Sequence, residues 1–216
     1  MSSARSPSDP PTSGGRSSAE HIRDAALSKF AAQGTASTSL RAVAAAAGVS
    51  LGRVQHHFGT KARLIQAVDE YVLAVLREQL PRSIPPPSAD PIGDFGNHVL
   101  GLIADYPDVL DYFARALVEG SEFGSVVFDD LVSRGEARWE KLKQEQIARP
   151  DIDVTWAAIN PIILTMGAIL MRTQIERQLP ESLTSPTQLQ RWGRAVGILM
   201  RYGQLRRPPS DNNSAD

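Results

Sequence analysis

Proline removes a backbone donor and clashes with the preceding helical turn, so its placement limits where helices can run. None lies between Pro11 and Pro81, and five then fall in the stretch PRSIPPPSADP from Pro81 to Pro91. The first stretch is free to be helical throughout, whereas 81–91 reads as a stiff, proline-rich connection. Later prolines, at 107, 150, 161, 180 and 186, mostly mark places where a helix starts or stops. No run alternates apolar and polar residues at period two and no repeat of fixed length occurs, so the expected fold class is all-α. The Ser-, Pro- and Gly-rich start, 1–17, and the end, 206–216, read as a disordered leader and tail.

A chain of 216 residues with 42% apolar content can bury one ordinary core or two small ones. Cysteine is absent, which excludes a disulfide scaffold, a Cys-ligated zinc finger, an iron–sulfur site and thiol catalysis, and the expected compartment is the cytoplasm. The longest uncharged stretch, Val154 to Met171, falls short of the roughly 20 residues a membrane span needs and contains Asn160 and Pro161, so no membrane partner is expected. There is no HExxH, no phosphate-cradling Gly-rich loop and no serine elbow, and adjacent His56 and His57 do not suit a shared metal. We therefore expect no enzyme, no cofactor and no metal site.

The net charge of −1 excludes indiscriminate basic binding to nucleic acid. That average conceals a division. Residues 1–80 hold nine Lys/Arg against six Asp/Glu, net +3, and residues 81–216 hold fourteen against eighteen, net −4.

Within the proline-free stretch, Ser17 and Glu20 fit a capping box, and Ile22, Ala26, Leu27 and Phe30 share one face before Gly34 ends the first helix. Thr38 is placed to cap a second helix, in which Leu40, Val43, Ala44 and Ala47 recur at helical spacing before Gly48. Ser50 is placed to cap a short third helix, Leu51 to Phe58, and Gly59-Thr60 restarts the chain into a long fourth helix, Lys61 to Leu80. Two short helices joined by Gly48-Val49-Ser50 have helix-turn-helix spacing. Ala44 is small where the helices cross, Gly48 tolerates a left-handed turn, and Val43, Val49 and Val54 form a miniature core below Phe58. Residues 18–80 thus read as a DNA-binding domain with its connecting helix.

The run TSLRAVAAAAGVSLGRVQHHFGTKARL, Thr38 to Leu64, resembles the N-terminal domain of TetR-type (tetracycline-repressor-like) transcriptional regulators, and the resemblance extends from about Ser18 to Val75. It implies that His57 and Lys61 contact DNA phosphates, Lys61 beside the free N–H groups of a helix start. Ser39, Ser50 and Gln55 are further phosphate candidates, although Ser39 and Ser50 also suit simple caps, and Gln55 stands where the family often has a tyrosine. Ala62-Arg63 likewise replaces a usually acidic helix start. Base readout falls to Leu51, Gly52, Arg53 and His56, with Arg41 reaching from the second helix. Arg53 leads because a guanidinium can bond guanine O6 and N7 together.

Helical patterns resume from 92 to 205, in pieces near 91–105, 107–120, 122–149, 152–178 and 186–205. The resemblance implies that this part encloses an effector pocket and carries a dimer interface. Large apolar residues nominate Phe95, Leu102, Phe113, Leu117 and Phe128 for the pocket, with Trp139, Trp156, Met166 and His98 as further candidates, and a largely apolar effector. For the interface the candidates are Ile159, Ile163, Met166 and Leu170, followed by Trp192, Val196 and Leu199, with Gly193 and Gly197 permitting close helix approach. The function implied is a dimeric repressor released from a palindromic operator in double-stranded DNA by a small molecule. The other reading left open is an all-helical ligand-binding or adaptor protein without operator-specific binding.

Overall fold

The computed structural model describes residues 17–80 and 90–205. The leader before Ser17, the tail from 206 and the connection at 81–89 lie outside the described residues. Ten helices follow in order: α1 (Ser18–Gln33), α2 (Leu40–Ala46), α3 (Leu51–Phe58), α4 (Lys61–Gln79), α5 (Pro91–Asp105), α6 (Pro107–Val118), α7 (Glu122–Gln144), α8 (Val154–Leu170), α9 (Arg172–Glu176) and α10 (Pro186–Gln204). Among the described residues the fold is all-α, and β pairing is limited to an isolated antiparallel bridge between Ala148 and Leu205. No described helix is long and apolar enough to cross a membrane.

Local chemistry sets most of these boundaries. The Ser17 hydroxyl accepts from the Glu20 N–H while Glu20 accepts from the Ser17 N–H at 2.7 Å, the reciprocal capping box expected of α1. Pro91, Pro107 and Pro186 stand in the first turns of α5, α6 and α10, where a missing N–H costs nothing. Two expectations fail. Ser39, not Thr38, caps α2; Thr38 is 1% exposed and its hydroxyl donates to the Gly34 carbonyl at 2.8 Å, tying down the α1–α2 loop. The stretch read as 152–178 divides into α8 and α9 at Met171.

Pro161 is the exception to the rule that proline marks ends, since it lies inside α8. It has no N–H for the Ala157 carbonyl four residues back, and an orphaned buried carbonyl costs about 1–3 kcal/mol. The indole N–H of Trp139 on α7 donates to that oxygen at 2.9 Å. Gly135, one turn earlier on α7, lets the helices close, because a Cβ there would lie 2.7 Å from Ala158 Cβ. Pro161, Trp139 and Gly135 thus form one solution to the α7–α8 contact.

Two apolar cores result. The larger runs from Ile22, Phe30, Val54 and Leu64 through Val72 and Leu76 to Leu102, Leu110 and Phe113, so it continues from the first four helices into α5 and α6. The smaller gathers Trp139, Leu142, Ala148, Ala157, Ala158 and Met200 at the far end.

Candidate nucleic-acid interface and ligand cavity

α2 and α3 meet across a turn in which Gly48 adopts φ 64°, the left-handed backbone that favours glycine. Below the turn Val43 and Val54 are fully buried, and Val54 is the single buried residue of α3. Val54 and half-buried Phe58 hold the eight-residue helix while Gly52, Arg53, Gln55, His56 and His57 all stay exposed and Leu51 half-buried. Arg41 is exposed on α2. The His56 and His57 rings sit edge to face, 5.5 Å between centroids, and His57 continues toward Phe58. No group of three or more His, Asp or Glu among the described residues can hold a metal ion.

Three of the polar groups assigned to phosphates, Ser39, Ser50 and Lys61, stand at helix starts. Ser39 accepts from the Ala42 N–H and Ser50 from the Arg53 N–H, so each hydroxyl caps with its oxygen and keeps its proton as a donor. Lys61 begins α4 and its ammonium donates to the Ala36 carbonyl at 3.2 Å, which uses one of three donors and holds the cation against the α1–α2 loop. Thr60 caps the same helix through the Arg63 N–H.

Behind this face, α1 and α4 are tied to the second half by polar contacts. The Tyr112 hydroxyl on α6 donates to Asp69 on α4 at 2.6 Å. Burial raises the Asp69 carboxyl above its ordinary value despite that hydrogen bond, and burial with the neighbouring carboxylate raises the Tyr112 phenol. Arg115 on α6 donates to the Ala31 and Ala32 carbonyls, satisfying the C-terminal end of α1. Asp130 on α7 bridges Arg77 on α4, at 3.0 Å, and Arg134, at 2.6 Å. Burial raises the Asp130 carboxyl, but the two arginines outweigh it and hold it below the ordinary 3.8.

The second half is not solid. A cavity of about 360 Å³ lies among α5, α7, α8 and α10, and a smaller one of about 50 Å³ adjoins it toward α6. Phe95, Val99, Arg138, Pro161 and Thr165 border both. Of the nominated pocket residues, Phe95, Leu102, Phe113 and Met166 border the smaller cavity, and Phe95 and Trp139 the larger. His98 is exposed, because Phe95, Val99 and Leu102 take the inward register of α5. Leu117 packs on the larger core, Phe128 is half-buried away from both cavities, and Trp156 stands on the outer side of α8.

That outer side carries exposed apolar residues. Ile163 is 52% and Leu170 54% exposed on α8, and Leu199 is 66% and Tyr202 70% exposed on α10. Ile159 is half-buried. Met166 is buried against the smaller cavity, and Trp192 and Val196 line the larger, so these three face inward, away from that surface. Gly193 makes its close approach inside the chain, since a Cβ there would meet Leu100 at 2.7 Å. α10 therefore has two apolar stripes, and reading them as one merged an inner and an outer face.

Sequence reasoning missed Arg138, whose guanidinium lies over the Phe95 ring 3.7 Å from its centroid. Burial pulls this arginine down to about 10. The available signal was register: Leu131, Arg138 and Leu142 fall on one side of α7, an unusual place for a cation.

Residues 22–68 match the family described as bacterial regulatory proteins, tetR family. Over that segment the chain resembles the TetR family. Its relatives include the HTH-type transcriptional regulatory protein RaaS of Mycobacterium tuberculosis, 29% identical over 154 residues that cover 71% of this chain and 70% of that protein. SmeT, the repressor of the Stenotrophomonas maltophilia multidrug efflux pump SmeDEF, shares the fold at a TM-score of 0.66 and 21% identity, covering 87% of this chain and 90% of SmeT. AibR matches at a TM-score of 0.65 and 15% identity, over 85% of this chain and 97% of AibR. These neighbours share the chain's fold, an N-terminal helix-turn-helix domain followed by a helical C-terminal domain.

Proposed function

We propose that this chain is a TetR-type regulator, a homodimeric repressor that leaves a palindromic operator when a small molecule fills the cavity among α5, α7, α8 and α10. Residues 18–80 would read DNA, and 92–205 would sense and dimerise. The observation that carries the reading is the construction of α3, anchored by buried Val54 and half-buried Phe58 with Arg53, Gln55, His56 and His57 presented to solvent. Arg53 would read a guanine edge, with Arg41, Leu51, Gly52 and His56 beside it, while Ser39, Ser50, Gln55, His57 and Lys61 would hold phosphates.

Pairing is supported by the exposed apolar strips of α8 and α10, which a second copy would cover, and two heads are needed because each carries few cations. Ligand release is supported by the cavity and by the ties from α6 and α7 to α1 and α4, through which a change in packing would alter the spacing of the heads. Two relatives offer parallels: SmeT has been solved with triclosan, and AibR with isovaleryl coenzyme A and operator DNA. The test is a gel shift on a short palindrome from upstream of the chain's own gene. Arg53→Ala with Lys61→Ala abolishes the shift if the reading holds, and undiminished binding by the double variant refutes it.

A further inference from the structure

The buried polar side chains among the described residues are Thr38, Thr165 and Gln188, and of these only Thr165 borders a cavity. It borders both chambers, as does Pro161 one turn earlier on α8. The Thr165 hydroxyl donates to the Pro161 carbonyl at 2.8 Å, so this hydrogen bond runs along the wall where the chambers adjoin. A carbonyl oxygen only accepts, so the hydroxyl proton is committed to it. What Thr165 still offers is an oxygen with acceptor lone pairs, and among the described residues no donor reaches it.

The rest of the wall narrows what can use that oxygen. The charged side chains that border the cavities are arginines, Arg134, Arg138, Arg194 and Arg201, and no carboxylate borders either among the described residues, so an ammonium head is disfavoured. An ionised carboxylate brings no proton and would set its own lone pairs against the Thr165 oxygen. Phe95, Leu100, Trp139 and Trp192 make the remaining wall mainly apolar and aromatic, and the Trp139 N–H is already committed to Ala157. The volume of about 360 Å³ lies within the roughly 300–1,000 Å³ of small-molecule sites. We propose that the larger cavity takes a neutral apolar molecule bearing a hydroxyl, a phenol or a cyclic alcohol, whose O–H donates to Thr165 Oγ1 and whose body lies along Phe95, Leu100 and Trp192. This names the ligand class of the sensing site and rests on that reading.

A hydroxyl carried into an apolar chamber loses its water and is penalised unless a partner waits there. Thr165 supplies that partner, so the discrimination comes from a single buried hydrogen bond whose two ends can be removed separately. Phenols ionise only near pH 10, so the proton is present at neutral pH. Gly96 borders the same chamber, and a Cβ there would meet nothing within 4 Å, which leaves room beside α5 for the ligand body.

The test is tryptophan fluorescence of the full-length protein, excited where phenols do not absorb, because Trp139 and Trp192 border the cavity. The probes are 4-propylphenol and 4-propylcyclohexanol beside the hydrocarbons in which methyl replaces hydroxyl, 4-propyltoluene and 1-methyl-4-propylcyclohexane, and the operator shift is run on the same preparations. Thr165→Val is expected to weaken both hydroxyl compounds by about fivefold or more and to leave both hydrocarbons unchanged, whereas Thr165→Ser keeps the hydroxyl compounds within about twofold of the parent. Gly96→Leu weakens all four by filling the chamber, and unchanged binding there would place the probes elsewhere and overturn the assignment. Hydroxyl compounds that bind Thr165→Val as tightly as the parent also overturn it, as does a loss shared equally by the hydrocarbons, which marks a hydroxyl with a structural role only. No response to any of the four compounds overturns it too, and an intact operator shift in that case leaves the DNA-binding reading standing. Binding that depends on Thr165 but leaves the operator shift unchanged supports the ligand class and refutes release by it.

Discussion

The two halves of the molecule spend their apolar residues differently. In α1–α4 they are consumed in the main core: Ile22, Phe30, Val43, Val54, Leu64, Val68 and Val72 are fully buried, and the outer surface of α3 is polar. In α5–α10 apolar side chains line a void on one side and stand in solvent on the other. A close-packed unit has one shape and can carry a fixed array of donors to DNA. A half with space inside and an uncovered face can change its packing when something occupies either. Under the proposed function, the contrast gives rigidity to the half that would read DNA and adaptability to the half that would sense a ligand.

The largest effect expected comes from the uncovered face. Ile163→Glu with Leu199→Glu places charge on exposed residues outside the buried core, so the folded protomer should keep its melting behaviour while the proposed dimer dissociates. Loss of the second head should weaken operator binding by about 100-fold or more. Analytical ultracentrifugation and operator titration check both parts. A double variant that remains dimeric would move the interface elsewhere.

Next is the proline inside α8. Trp139→Phe leaves the Ala157 carbonyl without its donor and should cost about 1–3 kcal/mol in denaturant unfolding. Pro161→Ala supplies a backbone N–H to the same oxygen and should return most of that loss in the double variant. Absence of such coupling would show that the indole stabilises by packing alone.

A smaller effect lies where the halves join. Asp130 is held below its ordinary value, so its ion pairs contribute fully above the unfolded value and are lost as pH falls below about 4 through the folded one. Asp130→Asn should cost ~1–2 kcal/mol at pH 7, discounted because Arg77 is half exposed, and should flatten the acid side of the stability profile. An unchanged profile would remove Asp130 from the coupling between halves. The smallest effect falls in the reader: Gly48→Ala meets no neighbour but strains a positive φ, and should lower stability by about 1 kcal/mol in thermal unfolding.

The same contrast explains what was legible in the sequence. The reader was read nearly residue by residue because local rules govern it: the capping box at Ser17, the glycine turn at Gly48 and the spacing of Val43, Val49 and Val54 all act within a few positions. Its one slip, Thr38 for Ser39 as cap, arose because both hydroxyls suit the role and only the loop fold decides which is buried. The sensor's helices were legible from periodicity, but their inner and outer faces were not. Trp156 and Leu170 share an apolar run with Met166, and only packing against α7 determines which side is covered. Arg138 escaped notice because a cation in an inward register looks like surface until Phe95 and the cavity are placed beside it.

The central claim, that two α3 helices of one dimer read two halves of a palindrome, is tested most directly by titrating the full-length protein against a palindromic duplex and a single half-site. The account predicts that two protomers bind the palindrome at least about 100-fold tighter than the half-site, with a salt slope that falls by about two per dimer in Lys61→Ala. Equal affinity for both duplexes, or a slope indifferent to Lys61, would contradict it.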